Sequence, residues 1–175
     1  FGSIFSYARP ENIDAIVASV GSIGCFTDEA HIKKMLQQFE GIPIVPVAYN
    51  LEGYSGVSYD NCSGIEDGLE YLIETVGIKK IGMIGGSLVN TDVRERKRAF
   101  IKALKDHGIE FSEKMYVSGD LSRKSFEAYR TILDNNPDIE AVFCVNDDTA
   151  FGLYEEIKRR GLQIGKDIHV FGYDD

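Results

Sequence analysis

Residues 140–173 read EAVFCVNDDTAFGLYEEIKRRGLQIGKDIHVFGY, and the order of patterns in this stretch decides the fold. A near-continuous apolar run (140–145) passes into a stretch of helical period (147–160), stops at Gly161 and returns to a second apolar run (168–173). Strand, helix and strand in that order join parallel neighbours, because antiparallel neighbours need only a tight turn between them. The same alternation extends upstream. Strands are expected at 14–20, 42–48, 56–59, 80–85 and 115–119, and helices at 28–39, 62–76, 91–107 and 122–135. Most of the strand runs lack polar alternation, as strands covered on both faces do. The fold class is therefore α/β, with parallel sheets and flanking helices.

One segment breaks the rhythm. YNLEGYSG (49–56) is rich in turn residues and separates two expected strands without a helix between them. It marks a crossover near 49–60, with residues 1–59 forming part of a first lobe and residues 60–175 a second. Ile4, Phe5 and Ala8 share a helical face that Pro10 stops, so the opening residues read as the tail of a helix. The chain starts at Phe1 and stops straight after an apolar run, and is expected to be a fragment of something longer.

Composition narrows the function. Lys plus Arg number 19 against 28 Asp plus Glu, a net charge of −9 that repels phosphate backbones and anionic lipid. No apolar run approaches the roughly 20 residues that cross a bilayer. Cys25, Cys62 and Cys144 show no metal-binding spacing, and their odd number suits a reducing cytoplasm. The dinucleotide fingerprint, the phosphate loop and the nucleophile elbow are absent, and the three histidines fall in a helix, at a helix end and inside a strand. No cofactor, metal or catalytic residue is expected.

Ligands of open parallel sheets gather outside the carboxyl ends of the strands, and the residues there are polar: Ser19, Gly21 and Ser22; Tyr49 and Asn50; Asp60 and Asn61; Ser87, Asn90 and Thr91; Asp120; Asn146 and Asp147; Asp174 and Asp175. Asn146, Ser122 and Asp92 read equally well as helix caps. Arg96 is different. It shares the apolar stripe of its helix with Val93, Phe100, Ala103 and Leu104, one turn from a strand end, which aims a guanidinium at the ligand edge. Arg94, Arg98, Lys102 and Lys105 fall on the opposite, solvated face. The GGS turn at 85–87, between strand and helix, is a candidate for presenting backbone N–H groups to an anion.

The succession IDAIVAS (13–19), IPIVPVA (42–48), VSYDNCSGIEDGLEYLIE (57–74), KKIGMIGGS (79–87), RERKRAFIKAL (94–104) and VNDDTAFGLYEEIKRRGLQIGKDIHVFGYDD (145–175) resembles the effector-binding core of the lac repressor and purine repressor family, which has the type I periplasmic-binding-protein fold. The resemblance implies two similar lobes with a small polar effector between them, incomplete here at both ends. It matches Arg96 to the family arginine, Asn146 to the asparagine of the N-D motif and Asp174 to the first aspartate of the G-Y-D-D motif, and it sets Asp60 at the interlobe crossover. With Ser19 and Asn90 from the strand-end reading, these are the expected ligand-binding residues. GDLS (119–122) departs from the family by placing Leu121 where an aromatic often stacks on the ligand, and Arg98 replaces a small residue before Ala99 and Phe100.

The expectation is a cytoplasmic, homodimeric sensor domain of a lac-repressor-like transcriptional regulator, reaching DNA only through a headpiece outside this chain and having no membrane partner. The same sensor fold fused to a diguanylate cyclase or histidine kinase output is one alternative. A Rossmann-like nucleotide or sugar-phosphate enzyme using Asp174, Asp175 and the 85–87 turn is the other.

Overall fold

The computed structural model describes residues 7–24 and 27–174. Ile4, Phe5, Cys25 and Asp175 therefore lie outside the described residues. The chain divides into two compact units, residues 1–60 with 89–92 and residues 61–88 with 93–175.

In the first unit, β1 (Ile16–Ser19) and β2 (Ile44–Val47) pair in parallel with Ile16 opposite Ile44. The five-residue helix α1 (Val20–Gly24) follows β1 directly, and α2 (Glu29–Leu36) is capped by Asp28, whose carboxylate accepts the His31 N–H. Val20, Ile32, Leu36, Tyr49 and Leu51 form its core. Gly21 permits the contact between α1 and the end of β2, since a Cβ there would stand 2.6 Å from the Ala48 carbonyl oxygen.

The second unit has a four-stranded, all-parallel sheet in the order β4-β3-β5-β6, built from β3 (Ile81–Gly85), β4 (Tyr116–Ser118), β5 (Ala141–Cys144) and β6 (His169–Phe171). Every residue of β3 and β5 is buried, as their unbroken apolar runs require. Alternate side chains serve opposite faces. Ala141, Phe143 and Val145 pack with α3 (Ser63–Glu70) and α4 (Thr91–Asp106), while Val142 and Cys144 pack with α5 (Phe126–Asn135) and α6 (Asp147–Arg159). Phe143 joins Phe100 and Phe171, with ring centroids 6.2 and 5.3 Å away. Among the described residues no helix is long and apolar enough to cross a membrane.

Three local expectations are corrected. The strand at 56–59 reduces to one parallel bridge between Val47 and Val57. Val57 exchanges hydrogen bonds with Pro46 O and Ala48 N, but Ala48 at φ +62° turns the chain away and the ladder ends. The helix expected from 122 starts at Phe126, because the Asp120 carboxylate accepts the Ser122 N–H and hydroxyl and the Ser125 hydroxyl, holding 120–125 as a turn. The helix at 62–76 changes pitch: after α3, Tyr71–Val76 continues as a π-helix that ends at Gly77 with φ +87°.

Those bonds from Ser125 and then Ser122 hold the Asp120 carboxyl below its ordinary pKa of 3.8. A carboxylate with a depressed folded pKa stabilises the fold above its unfolded pKa, and that contribution is lost as pH falls through the lower folded value. Asp120→Ala should therefore open the 120–125 turn at neutral pH, while the difference from wild type shrinks below pH 3.8. Amide exchange at Ser122 and Ser125 measured across acid pH checks this.

Candidate functional site at the carboxyl edge of the second sheet

Chain order and spatial order disagree in the second sheet. β3 leads outward to β4, and the chain then returns to β5 on the other side of β3. The carboxyl edge between β3 and β5 is thus the switch point where adjacent loops diverge and leave room for a ligand.

Arg96 reaches this edge from α4. Its residue is only 7% exposed, on the same stripe as buried Val93, Ala99, Phe100, Ala103 and Leu104. Nε, one terminal nitrogen and the face of the guanidinium each have a contact. Nε donates to Asn61 Oδ1 at 3.0 Å, and a terminal nitrogen donates to the Val145 carbonyl at 2.5 Å, at the end of β5. The same nitrogen stands 3.7 Å from Asp174 Oδ1. The plane lies over the Tyr173 ring at 3.5 Å. A charge this deeply buried is tolerable only with such partners. Asn61, itself 4% exposed, passes the connection on by donating to Glu95 Oε2 at 2.9 Å.

Asp174 remains open to solvent, with 57% of its side chain exposed, and holds an uncommon backbone at φ +123°. Partial desolvation pushes its pKa above the ordinary carboxylate value, against the opposing pull of Arg96, and repulsion from Asp147 and Asp148 adds to the rise. Its carboxylate is the acceptor best presented to a hydroxyl or amide of a ligand.

Asn146 is placed at this edge too, but its side chain faces inward. Its Oδ1 caps α6 by accepting the Thr149 N–H at 3.0 Å, and its Nδ2 donates to the Leu121 carbonyl at 3.0 Å. The second bond holds Leu121 at φ +64°, a conformation costly for a branched side chain. Asn146→Ala should cost about 1–2 kcal/mol through the lost cap. Asn146→Asp keeps the acceptor and loses the Leu121 bond, so urea unfolding of the pair separates the two contributions.

Asp60, Ser19 and Asn90 belong to the first unit. Asp60 is exposed, and Ser19 Oγ lies 3.2 Å from Ser22 Oγ. Asn90 is buried at 5%, next to Thr91, whose hydroxyl donates to the Tyr49 hydroxyl. The second unit therefore brings together Arg96 and Asp174, with Asn146 behind them. Asn61 stands in the strand-end list but not among the expected ligand-binding residues, and Tyr173 is in neither. Each is adjacent to an expected residue, Asp60 or Asp174, and no periodicity distinguishes it from that neighbour.

Comparison with known proteins bears on the family and the fold. A family model described as "Periplasmic binding protein-like domain" matches residues 69–175. The HTH-type transcriptional repressor PurR of Pasteurella multocida (strain Pm70) is 30% identical over 146 residues, covering 81% of this chain and 43% of that protein. The ribose operon repressor of Escherichia coli (strain K12) is 32% identical over 146 residues, 82% of this chain and 44% of that protein. The chain thus spans less than half the length of these curated relatives. Among solved structures, the transcriptional regulator CelR–cellobiose complex superposes with a TM-score of 0.83 at 27% identity, over 98% of this chain and 52% of that one. A sugar-binding regulator of the LacI family from Escherichia coli, complexed with phosphate, gives 0.81 at 25% identity, over 98% and 60%. The parallel sheet and the family match over residues 69–175 lead to one conclusion: the chain belongs to the periplasmic binding protein-like domain family.

Proposed function

We propose that this chain is the effector-binding part of a lac-repressor-type transcriptional regulator, and that it binds a small polar effector, a sugar or nucleoside, without turning it over. The observation that carries the reading is Arg96, a buried guanidinium held at the switch point by Asn61, the Val145 carbonyl and Tyr173, beside the exposed carboxylate of Asp174. Rigid donors beside an open acceptor suit recognition of hydroxyl and amide groups. The names of two relatives, a ribose operon repressor and a regulator solved with cellobiose, support a sugar.

In this reading the effector acts by differential affinity. It stabilises whichever arrangement of the regulator binds it better, and the population shifts accordingly. DNA contact belongs to a headpiece outside this chain, the working form is a homodimer, and the compartment is the cytoplasm. A thermal-shift panel of D-ribose, cellobiose, other neutral sugars and nucleosides tests the proposal. A ligand that binds only the folded chain raises its stability by RT ln(1 + [L]/Kd), about 2.7 kcal/mol at a hundredfold excess over Kd. A saturable upward shift without chemical change in the ligand is expected. Hydrolysis or phosphate transfer on any panel member contradicts it.

A further inference from the structure

Two features at the carboxyl edge of the second sheet stand out as able to attract an anion, and each has neighbours that oppose one. The first is the Gly85–Gly86–Ser87 turn after β3, placed as phosphate-cradling turns are. Here Gly85 and Gly86 are buried under neighbouring side chains, while Ser87 is exposed. The Leu121 side chain fills the space above Gly86, its Cγ standing 2.9 Å from where a Cβ would be. The Tyr116 ring does the same at Gly85, and its hydroxyl donates to the Gly86 carbonyl at 2.9 Å. Leu121 is fixed in this role by the Asn146 bond to its carbonyl.

The second feature is the Arg96 guanidinium, whose charge is already matched. Asp174 stands 3.7 Å from it, the Tyr173 ring covers one face, and Asn61 and Val145 take donors. A further cation near this edge, Arg123, is bound to Asp148 at 2.8 Å. Lys97, over the Tyr116 ring, faces Glu113 at 3.8 Å and makes a pair of no net charge. Around them stand the carboxylates of Asp120, Asp147, Asp148 and Asp174. The closeness of the last three is evident in the repulsion that Asp147 and Asp148 exert on Asp174. Arg94, whose guanidinium donates to the Leu88 carbonyl at 2.8 Å, is a third guanidinium beside the turn, and the carboxylates of Asp120, Asp147, Asp148 and Asp174 still outnumber Arg94, Arg96 and Arg123.

We infer that this site selects against anions: it accepts an uncharged polyhydroxyl ligand and rejects the phosphorylated or carboxylated form of the same compound, with Asp174 and Leu121 as the excluding residues. This rests on the sensor reading above and adds a charge criterion to it. Like charges brought together in a partly desolvated site are strongly unfavourable, and Leu121 and Tyr116 crowd the two glycines of the turn. An uncharged hydroxyl meets no such opposition. It can donate to the Asp174 carboxylate without bringing a second negative charge beside it.

Inorganic phosphate is a suitable probe whatever the effector is. Titrated into the chain at constant ionic strength, it should produce no saturable shift of the Arg96 Nε–H or the 85–87 amide resonances. Asp174→Asn removes the carboxylate facing Arg96 while keeping the side-chain shape, and should bring a saturable phosphate response at Arg96 at least about tenfold tighter than the wild-type limit, a difference of about 1.4 kcal/mol. Leu121→Ala, which uncovers Gly86, should add a response at 85–87. Saturable phosphate binding by the wild-type chain at either place overturns the inference. So does a folded Asp174→Asn variant, checked by its amide spectrum, that gains nothing. The sensor reading is judged separately by the neutral panel. Binding of a sugar phosphate more tightly than of its parent sugar defeats the charge criterion and leaves the sensor standing, whereas turnover of a panel member defeats the sensor itself.

Discussion

Replacing Arg96 by alanine should lower effector affinity at least about 30-fold and also weaken the second unit. The two effects have one cause. The guanidinium donates to Asn61 Oδ1 and to the Val145 carbonyl, and it balances Asp174. Truncating one member of a buried, hydrogen-bonded charge pair costs about 2–5 kcal/mol of binding, a loss of roughly 30-fold to several thousandfold. The orphaned acceptors add a stability cost of about 1–3 kcal/mol. Folding should survive, since Val93, Phe100 and Leu104 still supply the packing face of α4 and alanine favours helix. Arg96→Lys keeps the charge but neither the planar stack on Tyr173 nor the paired donors, so it should fall near alanine in affinity. Lys102→Ala serves as the control. Its ammonium bridges Glu66 and Asp106 from an exposed position, and such bridges contribute about 0–1 kcal/mol. Calorimetry with a ligand found in the neutral panel, beside urea unfolding, decides the matter. Equal losses in Arg96→Ala and Lys102→Ala would leave Arg96 with no place in the site.

The largest effect on stability alone should come from Gly152→Ala. Gly152 lies on α6 where that helix meets Tyr129 of α5. A Cβ there would stand 2.6 Å from Tyr129 Cζ and 2.7 Å from the Arg123 carbonyl oxygen. Neither neighbour can yield easily. Tyr129 is fully buried and its hydroxyl donates to the Ser122 carbonyl at 2.7 Å, while the Arg123 oxygen is backbone. In an exposed helix the same change would help by about 1 kcal/mol. Here overpacking costs about 1–3 kcal/mol or more and outweighs it. A net loss of about 2 kcal/mol lowers the melting temperature by roughly 4–8 °C for a chain of this size. Gly161, by contrast, has open space around its Cα and φ +75°, so Gly161→Ala should register only the modest strain of that backbone.

Much of the second unit was legible in the sequence because burial imposes unbroken runs. IGMIG and AVFC have no solvent face to advertise, and both lie inside the sheet. The stripe of α4 was equally plain, and with it the oddity of Arg96 among apolar residues. What escaped reading depends on single side-chain bonds. The delayed start of α5 is set by Asp120 collecting hydroxyls from Ser122 and Ser125, which helical periodicity through 122–135 does not register. α1 is five residues long, too short to have a period. Asp60 was preferred over Asn61 by resemblance, yet Asn61 is the buried one on Arg96, and in an irregular segment adjacent residues can point in unrelated directions. Asn146 was readable both as a cap and as a ligand contact. Its oxygen caps α6 and its nitrogen holds Leu121, so in this structure its role at the edge is to support its neighbours.

The most direct test of the account is a backbone and arginine side-chain NMR titration of the whole chain with D-ribose and with cellobiose, followed by the neutral sugar of largest effect. The account predicts saturable shifts concentrated at Arg96 Nε–H, at Tyr173 and Asp174, and at the neighbouring strand ends of 85–87, 120–122 and 145–148, with the sugar recovered unchanged. Saturable shifts confined to the opposite end of the sheet, around Leu133, Arg160 and Ile168, with none at Arg96 or Asp174, would contradict it.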